Sequence, residues 1–150
     1  MADIVDKITR SRMMAGIGGK DTKPEMILRR AVYAAGFRYR LHDRKLPGRP
    51  DIVMRKRNVA IFVHGCFWHR HAGCRYATTP ATRPEFWQEK FRQNVERDAR
   101  NIEALRAAGW RVAVVWECGL KKEVMEPNLA ELIAWIDDGS KDDLLSLPGD

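Results

Sequence analysis

The sequence predicts an α/β domain: one mixed β-sheet with helices on both faces. Two observations carry this. The runs Val59–Val63 and Trp110–Trp116 are short, apolar and rich in β-branched and aromatic residues, as buried strands are. Around them the patterns run helix–strand–strand–strand–helix–strand–helix, an order that fits one sheet covered by helices. At 150 residues the chain is long enough for one domain with a proper core. Its 45% apolar content is that of a globular protein.

Residues 1–20 mix basic residues, methionines and glycines. Ile4–Met14 can form a short helix ended by Gly16, Gly18 and Gly19. The clustered Lys7, Arg10, Arg12 and Lys20 suit either a loosely attached arm or one that contacts phosphates. Thr22-Lys23-Pro24-Glu25 then reads as a capping box opening a helix, with Pro24 in the first turn. Ile27, Leu28, Ala31, Val32 and Ala35 give its apolar stripe, and Gly36 ends it. On pattern alone Glu25 is explained as a cap.

Phe37–Leu41 alternates apolar and basic residues and reads as a half-buried strand. Pro47-Gly48 marks a turn, and Pro50 biases Arg49 away from helix. A strand Asp51–Met54, a polar turn Arg55–Asn58 and the strand Val59–Val63 form a hairpin that brings Asp51 near Val63 and His64. A Thr/Pro-rich loop leads to a long helix, Pro84–Ala108, stopped by Gly109. Its charged middle portion, with Arg92, Arg97 and Arg100, reads as a solvated face. Trp110–Trp116 delivers Glu117 and Cys118 at its end, Leu129–Ile136 is a final amphipathic helix, and a loose polar tail starts at Gly139. The expected organisation is a basic arm over 1–20, a folded domain over 21–138 and a tail over 139–150.

The net charge of +7 and a pI near 9.6 favour a polyanionic partner, nucleic acid before an anionic membrane surface. No apolar run approaches the roughly 20 residues of a bilayer span, and the N-terminus has no signal-peptide core, so a cytoplasmic protein is expected. The three cysteines fit a disulfide framework poorly and metal binding in a reducing compartment better.

The chemistry concentrates in VAIFVHGCFWHRHAGC, Val59–Cys74. Cys66, His71 and Cys74, joined by the distant Cys118, offer three thiolates and one imidazole, a closed tetrahedral zinc set of the structural kind. His64 and His69 remain for other work. With Asp51 and Glu25 they make two imidazoles and two carboxylates. Carboxylates suit Mg²⁺, and a neutral imidazole can take a proton from water. Beside a basic surface, this set suits phosphodiester hydrolysis. Phe67-Trp68, in the same loop, can stack on bases or wedge between them.

The runs LPGRPDIV, VAIFVHGCFWHRH, PATRPEFWQEKFRQNVERD and GWRVAVVWEC resemble the very short patch repair endonuclease family, across about residues 3–120. The resemblance implies a restriction-endonuclease-like fold. It also implies Mg²⁺-dependent nicking of double-stranded DNA 5′ to the thymine of a T·G mismatch left by 5-methylcytosine deamination. Restriction-like enzymes follow a Pro-Asp pair with an acid-x-Lys motif. Here Pro50-Asp51 keeps the first half, and Phe62-Val63-His64 stands where the second would be, without acid or lysine.

By motif match, Asp51 binds magnesium with the Val63 carbonyl, where the family usually has threonine. His69 matches the general base, and His64 and Glu25 match supporting positions. Cys66, His71, Cys74 and Cys118 match zinc ligands, with one extra residue, Ala72 or Gly73, in the loop. Phe67, Trp68 and Trp87 match an aromatic wedge, and Met14 a residue of the arm inserted from the other groove. The implied protein is a monomer in a bacterial cytoplasm, at the nucleoid when bound to DNA, with other mismatch-repair proteins as further partners. Two rivals stand beside it: a restriction-like nickase of different specificity, and a zinc-stabilised DNA-binding module without catalysis, which has no use for Asp51, His64 and His69 together.

Overall fold

The structure is a computed structural model that describes residues 21–149. The arm expected over 1–20, with its helix and Met14, lies outside the described residues. Helix α1 spans Lys23–Ala34, with Thr22 as N-cap and Pro24 in the first turn. The Thr22 hydroxyl accepts the Glu25 N–H at 3.4 Å. The helix closes in a Schellman motif: Gly36 N–H donates to Tyr33 C=O and Phe37 N–H to Val32 C=O, with Gly36 at φ +100°.

That closure shortens the next strand. The alternation of Phe37–Leu41 predicts a strand over the whole segment, but β1 is only Arg40–Leu41. Phe37 has spent its N–H on the helix end and its ring on the core. Strand β2, Ile52–Met54, pairs antiparallel with β1. A 3₁₀ turn, Arg55–Arg57, and Asn58 in the left-handed region complete the expected hairpin to β3, Val59–His64.

Helix α2, Pro84–Ala107, crosses over to β4, Arg111–Trp116, which lies parallel to β3. Helix α3 spans Met125–Asp137, starting a turn before the expected Leu129 with Pro127 near its N-terminus. The loose tail expected from Gly139 is corrected by the structure. Leu144–Leu147 forms strand β5, parallel to β4 and closing the sheet order β1-β2-β3-β4-β5. Its physical basis is the open edge of β4 together with Leu147, which is buried in the core.

Period-two alternation sorts the sheet's two faces. Val59, Ile61, Ala113 and Val115 meet Leu28 and Val32 of α1 and Leu132, Trp135 and Ile136 of α3. Ala60, Phe62 and Val112 meet Leu105 of α2 on the other face. The result is the mixed sheet with helices on both faces that the sequence predicts. Because β3 and β4 are parallel, their carboxyl ends finish side by side at the pair His64–Trp116. Crevices outside such ends are where open α/β sheets place ligands. Among the described residues no helix is long and apolar enough to cross a membrane.

Candidate active site and metal centre

The hairpin delivers Asp51 to the end of β3. The last β2–β3 pair in this direction is Ile52–Ile61, and beyond it the Asp51 carboxylate replaces backbone as the partner of Val63, accepting its N–H at 2.7 Å. Burial pushes the Asp51 carboxyl up to about 6, and the nearby Glu25 carboxylate adds to this, against the opposing pull of the Val63 N–H and of His42. Glu25 is 2% exposed, so the cap reading covers only its backbone. Its carboxylate is turned inward, where it meets His42 Nε2 at 2.8 Å and Arg29, which also pairs with Asp21. His42 Nε2 lies 3.8 Å from Asp51 Oδ1.

One residue past Val63, a second cluster begins. The His64 and His69 rings stack with centroids 3.9 Å apart and planes 6° from parallel. His69 Nδ1 lies 2.6 Å from Asp98 Oδ2. His64 is buried, its edge against Trp116, and burial with the neighbouring His69 pushes its pKa down to about 3. It is a neutral imidazole. Its Nδ1 is buried with no hydrogen-bond partner among the described residues. Such an atom costs about 1–3 kcal/mol if left dry. The four catalytic candidates thus fall into two groups, Glu25 with Asp51 and His64 with His69, joined through Val63.

Beyond His69 the loop turns back on itself. Cys66, His71, Cys74 and Cys118 offer donor atoms all within 4.8 Å of one another. His71 Nδ1 is 3.8 Å from Cys66 Sγ and 3.3 Å from Cys118 Sγ. Tetrahedral zinc with bonds of about 2.3 Å to sulfur and about 2.0 Å to nitrogen sets such neighbours about 3.5 Å apart. The donor set therefore fits. Ala72 and Gly73 lie in a tight turn, closed by Cys74 N–H donating to His71 C=O, with Gly73 at φ +71° where a side chain would be strained. All three thiols are free. Burial, and then the Cys118 thiol, push Cys66 up to about 12, against the Cys118 N–H. A bound cation would reverse that balance, because it binds the thiolate form. His71 also stacks on Trp116, 4.3 Å between centroids.

The aromatic residues gather beside this loop. Phe67 packs edge-on against Trp68, Trp87 and Phe91, and Trp68 also meets Trp87 at 6.0 Å. Phe67, Trp68 and Trp87 are half-buried, so each keeps part of its surface open to solvent.

A family model described as "DNA mismatch endonuclease Vsr" matches residues 2–75. The chain is 50% identical to DNA mismatch endonuclease Vsr of Escherichia coli (strain K12), over 91% of this chain and 88% of that protein. The chain belongs to the Vsr family. Other Vsr relatives carry the name nicking enzyme. V.XorIIP of Xanthomonas oryzae pv. oryzae is 46% identical over 80% of this chain and 88% of its own length. V.NmeAIP of Neisseria meningitidis serogroup A is 42% identical over 92% and 99%.

In this Vsr chain the site recruits residues that pattern reading passes over. Asp98 lies within the charged middle portion of α2, where pattern alone gives a solvated face. Yet Phe91, Asn94, Asp98, Ile102 and Leu105 follow helical spacing, and the first two and the last are buried. Polar residues interrupting an apolar stripe were the available signal. Asn94 holds the loop by donating to Trp68 C=O at 3.1 Å. His42, the one histidine outside the central stretch, and Arg29, a helix residue, carry no local signal of their inward contacts.

Proposed function

We propose that this protein nicks double-stranded DNA 5′ to the thymine of a T·G mismatch, by magnesium-dependent hydrolysis of the phosphodiester. The observation that carries the chemistry is Asp51 fixed on the Val63 N–H one residue from a His64–His69 stack whose outer ring rests on Asp98. With Nδ1–H given to the Asp98 carboxylate, His69 keeps Nε2 as the acceptor for a proton from water. His64, neutral and buried, holds the plane of that ring. Asp51 and the Val63 carbonyl would hold Mg²⁺. In an extended strand a residue's N–H and C=O project to the same edge, so the carbonyl shares the side on which Asp51 sits. Valine there loses a hydroxyl and no carbonyl. Bound at this place, Mg²⁺ supplies positive charge against the phosphate. Zn²⁺ on Cys66, His71, Cys74 and Cys118 would be structural, its four donors all coming from the protein.

Recognition rests on Phe67, Trp68 and Trp87. A T·G wobble pair stacks poorly, so unstacking it costs less than opening a matched step, and a wedge turns that difference into selectivity. A nickase reading a different sequence context is the second reading, favoured by the relatives named as nicking enzymes. The test is nicking of T·G and matched duplexes with Mg²⁺. We expect a 3′-hydroxyl and a 5′-phosphate at the T·G site only, abolished in Asp51→Ala and His69→Ala with DNA binding retained. Equal cutting of matched duplex would overturn the mismatch assignment, and full activity in either variant would overturn the catalytic one.

A further inference from the structure

We infer that His42 is a positioning residue that holds Glu25 and Asp51 in one orientation and so preorganises the magnesium-binding carboxylate. The inference rests on the reading of Asp51 as metal ligand. Register places His42 first. Leu41 pairs with Ile52 in the antiparallel β1–β2 ladder, so the next step puts His42 opposite Asp51. The backbone keeps that step: His42 N–H donates to Asp51 C=O at 3.1 Å. His42 then takes φ +48°, a left-handed conformation unusual for a residue with a side chain. Such strain persists where the surroundings over-determine it, and here they are the site itself.

The side chain completes the argument. Asp51 has two carboxylate oxygens. Oδ2 is held by the Val63 N–H, and Oδ1 faces His42 Nε2 at 3.8 Å. The same Nε2 sits 2.8 Å from Glu25 Oε2. One imidazole nitrogen therefore faces both carboxylates, one from α1 and one from the start of β2. Arg29 takes Glu25 from the helix side, and His42 faces Glu25 and Asp51 together, beside the direct contact between the two carboxyl groups. Carboxylates that bind metals are themselves held by hydrogen bonds, and losing the outer partner typically lowers metal affinity or activity about 10- to 100-fold. The side chain is 12% exposed, so solvent gives it little alternative.

Geometry dictates the variants. Glutamine can bring an amide N–H to the position of Nε2, whereas asparagine reaches only the position of Nδ1. The experiment titrates Mn²⁺, as the probe of this site, into zinc-loaded full-length protein without DNA. Free Mn²⁺ is read by electron paramagnetic resonance for wild type, Asp51→Ala, His42→Ala, His42→Asn and His42→Gln. Zinc content and thermal stability are measured alongside. We expect His42→Ala and His42→Asn to weaken Mn²⁺ binding about 10-fold or more. His42→Gln should stay within about threefold of wild type, all at unchanged zinc content. In nicking assays the same order should follow in kcat, with KM for DNA unchanged. His42→Asn binding Mn²⁺ like wild type, or His42→Gln failing like His42→Asn, overturns the inference. Asp51→Ala separates the two levels. If it loses Mn²⁺ while the His42 variants keep it, only the inference falls. If it binds like wild type, the metal reading of Asp51 falls first.

Discussion

His69 is held by Asp98. The 2.6 Å contact to Nδ1 selects one tautomer and fixes the ring, while the His64 stack fixes its plane. Asp98→Asn keeps the shape and removes the charge, and an amide nitrogen turned toward Nδ1 would favour the tautomer with its lone pair on the wrong side. Nicking kcat should then fall about 10²- to 10⁴-fold, the range of a general base. DNA binding, measured by gel shift, should hold. Trp68 poses the other question at this scale. Its ring is half-buried against Trp87 while its carbonyl is pinned by Asn94. Truncating the ring leaves that pin in place. Trp68→Ala should therefore keep zinc and fold but lose discrimination between T·G and matched duplex in parallel nicking rates. Retained discrimination would move the wedge to Phe67 or Trp87.

Among the elements, β5 decides how the sheet ends. Without it β4 would present an open edge, and parallel pairs do best when covered. Ser146 adds a side-chain tie, accepting the Trp116 Nε1–H at 3.2 Å. Trp116 in turn carries His71 on its face and meets His64 in a T-shaped contact. The C-terminal strand thus supports both clusters from behind. Leu147 is 1% exposed, so Leu147→Ala leaves a cavity beneath it. Unfolding in urea should show a loss of about 2–5 kcal/mol. A loss under about 0.5 kcal/mol, the size of a surface change, would mean β5 is not part of the folded unit.

For the molecule as a whole, the Cys66–His71–Cys74–Cys118 set ties the central loop to the distant end of β4. Cys66, His71 and Cys74 lie in the loop after β3, while Cys118 follows β4, with its N–H 3.4 Å from Cys66 Sγ. Filling the set fixes the loop that carries Phe67, Trp68 and His69 to the strand ends beneath it. Binding free energy at such a site is folding free energy. Freshly purified protein should contain one zinc per chain by elemental analysis. Cys118→Ser should lower both zinc content and melting temperature, and stripping zinc with a strong chelator should lower the melting temperature of wild type in the same way. Protein purified without zinc and equally stable would refute the assignment.

Much of this was legible because it is local. Strand and helix types follow from apolar spacing, and the Thr22 cap and the Arg55–Asn58 hairpin from turn chemistry. Three of the zinc donors and both stacked histidines lie between His64 and Cys74, so their meeting needs only one loop to close. The chemistry of a four-donor set extended that reach to Cys118, the one remaining cysteine. Tertiary structure alone brought His69 to Asp98 across a separation of 29 residues and Glu25 to His42 across 17. Apolar periodicity says which face of an element is buried. It does not say which polar residue on that face meets which partner, because that depends on the register of β1 on β2 and on how α2 lies across the sheet. The same holds for β5. A strand that short has too few residues for a period, and the unpaired edge of β4, which exists only once the sheet has formed, is what recruits it.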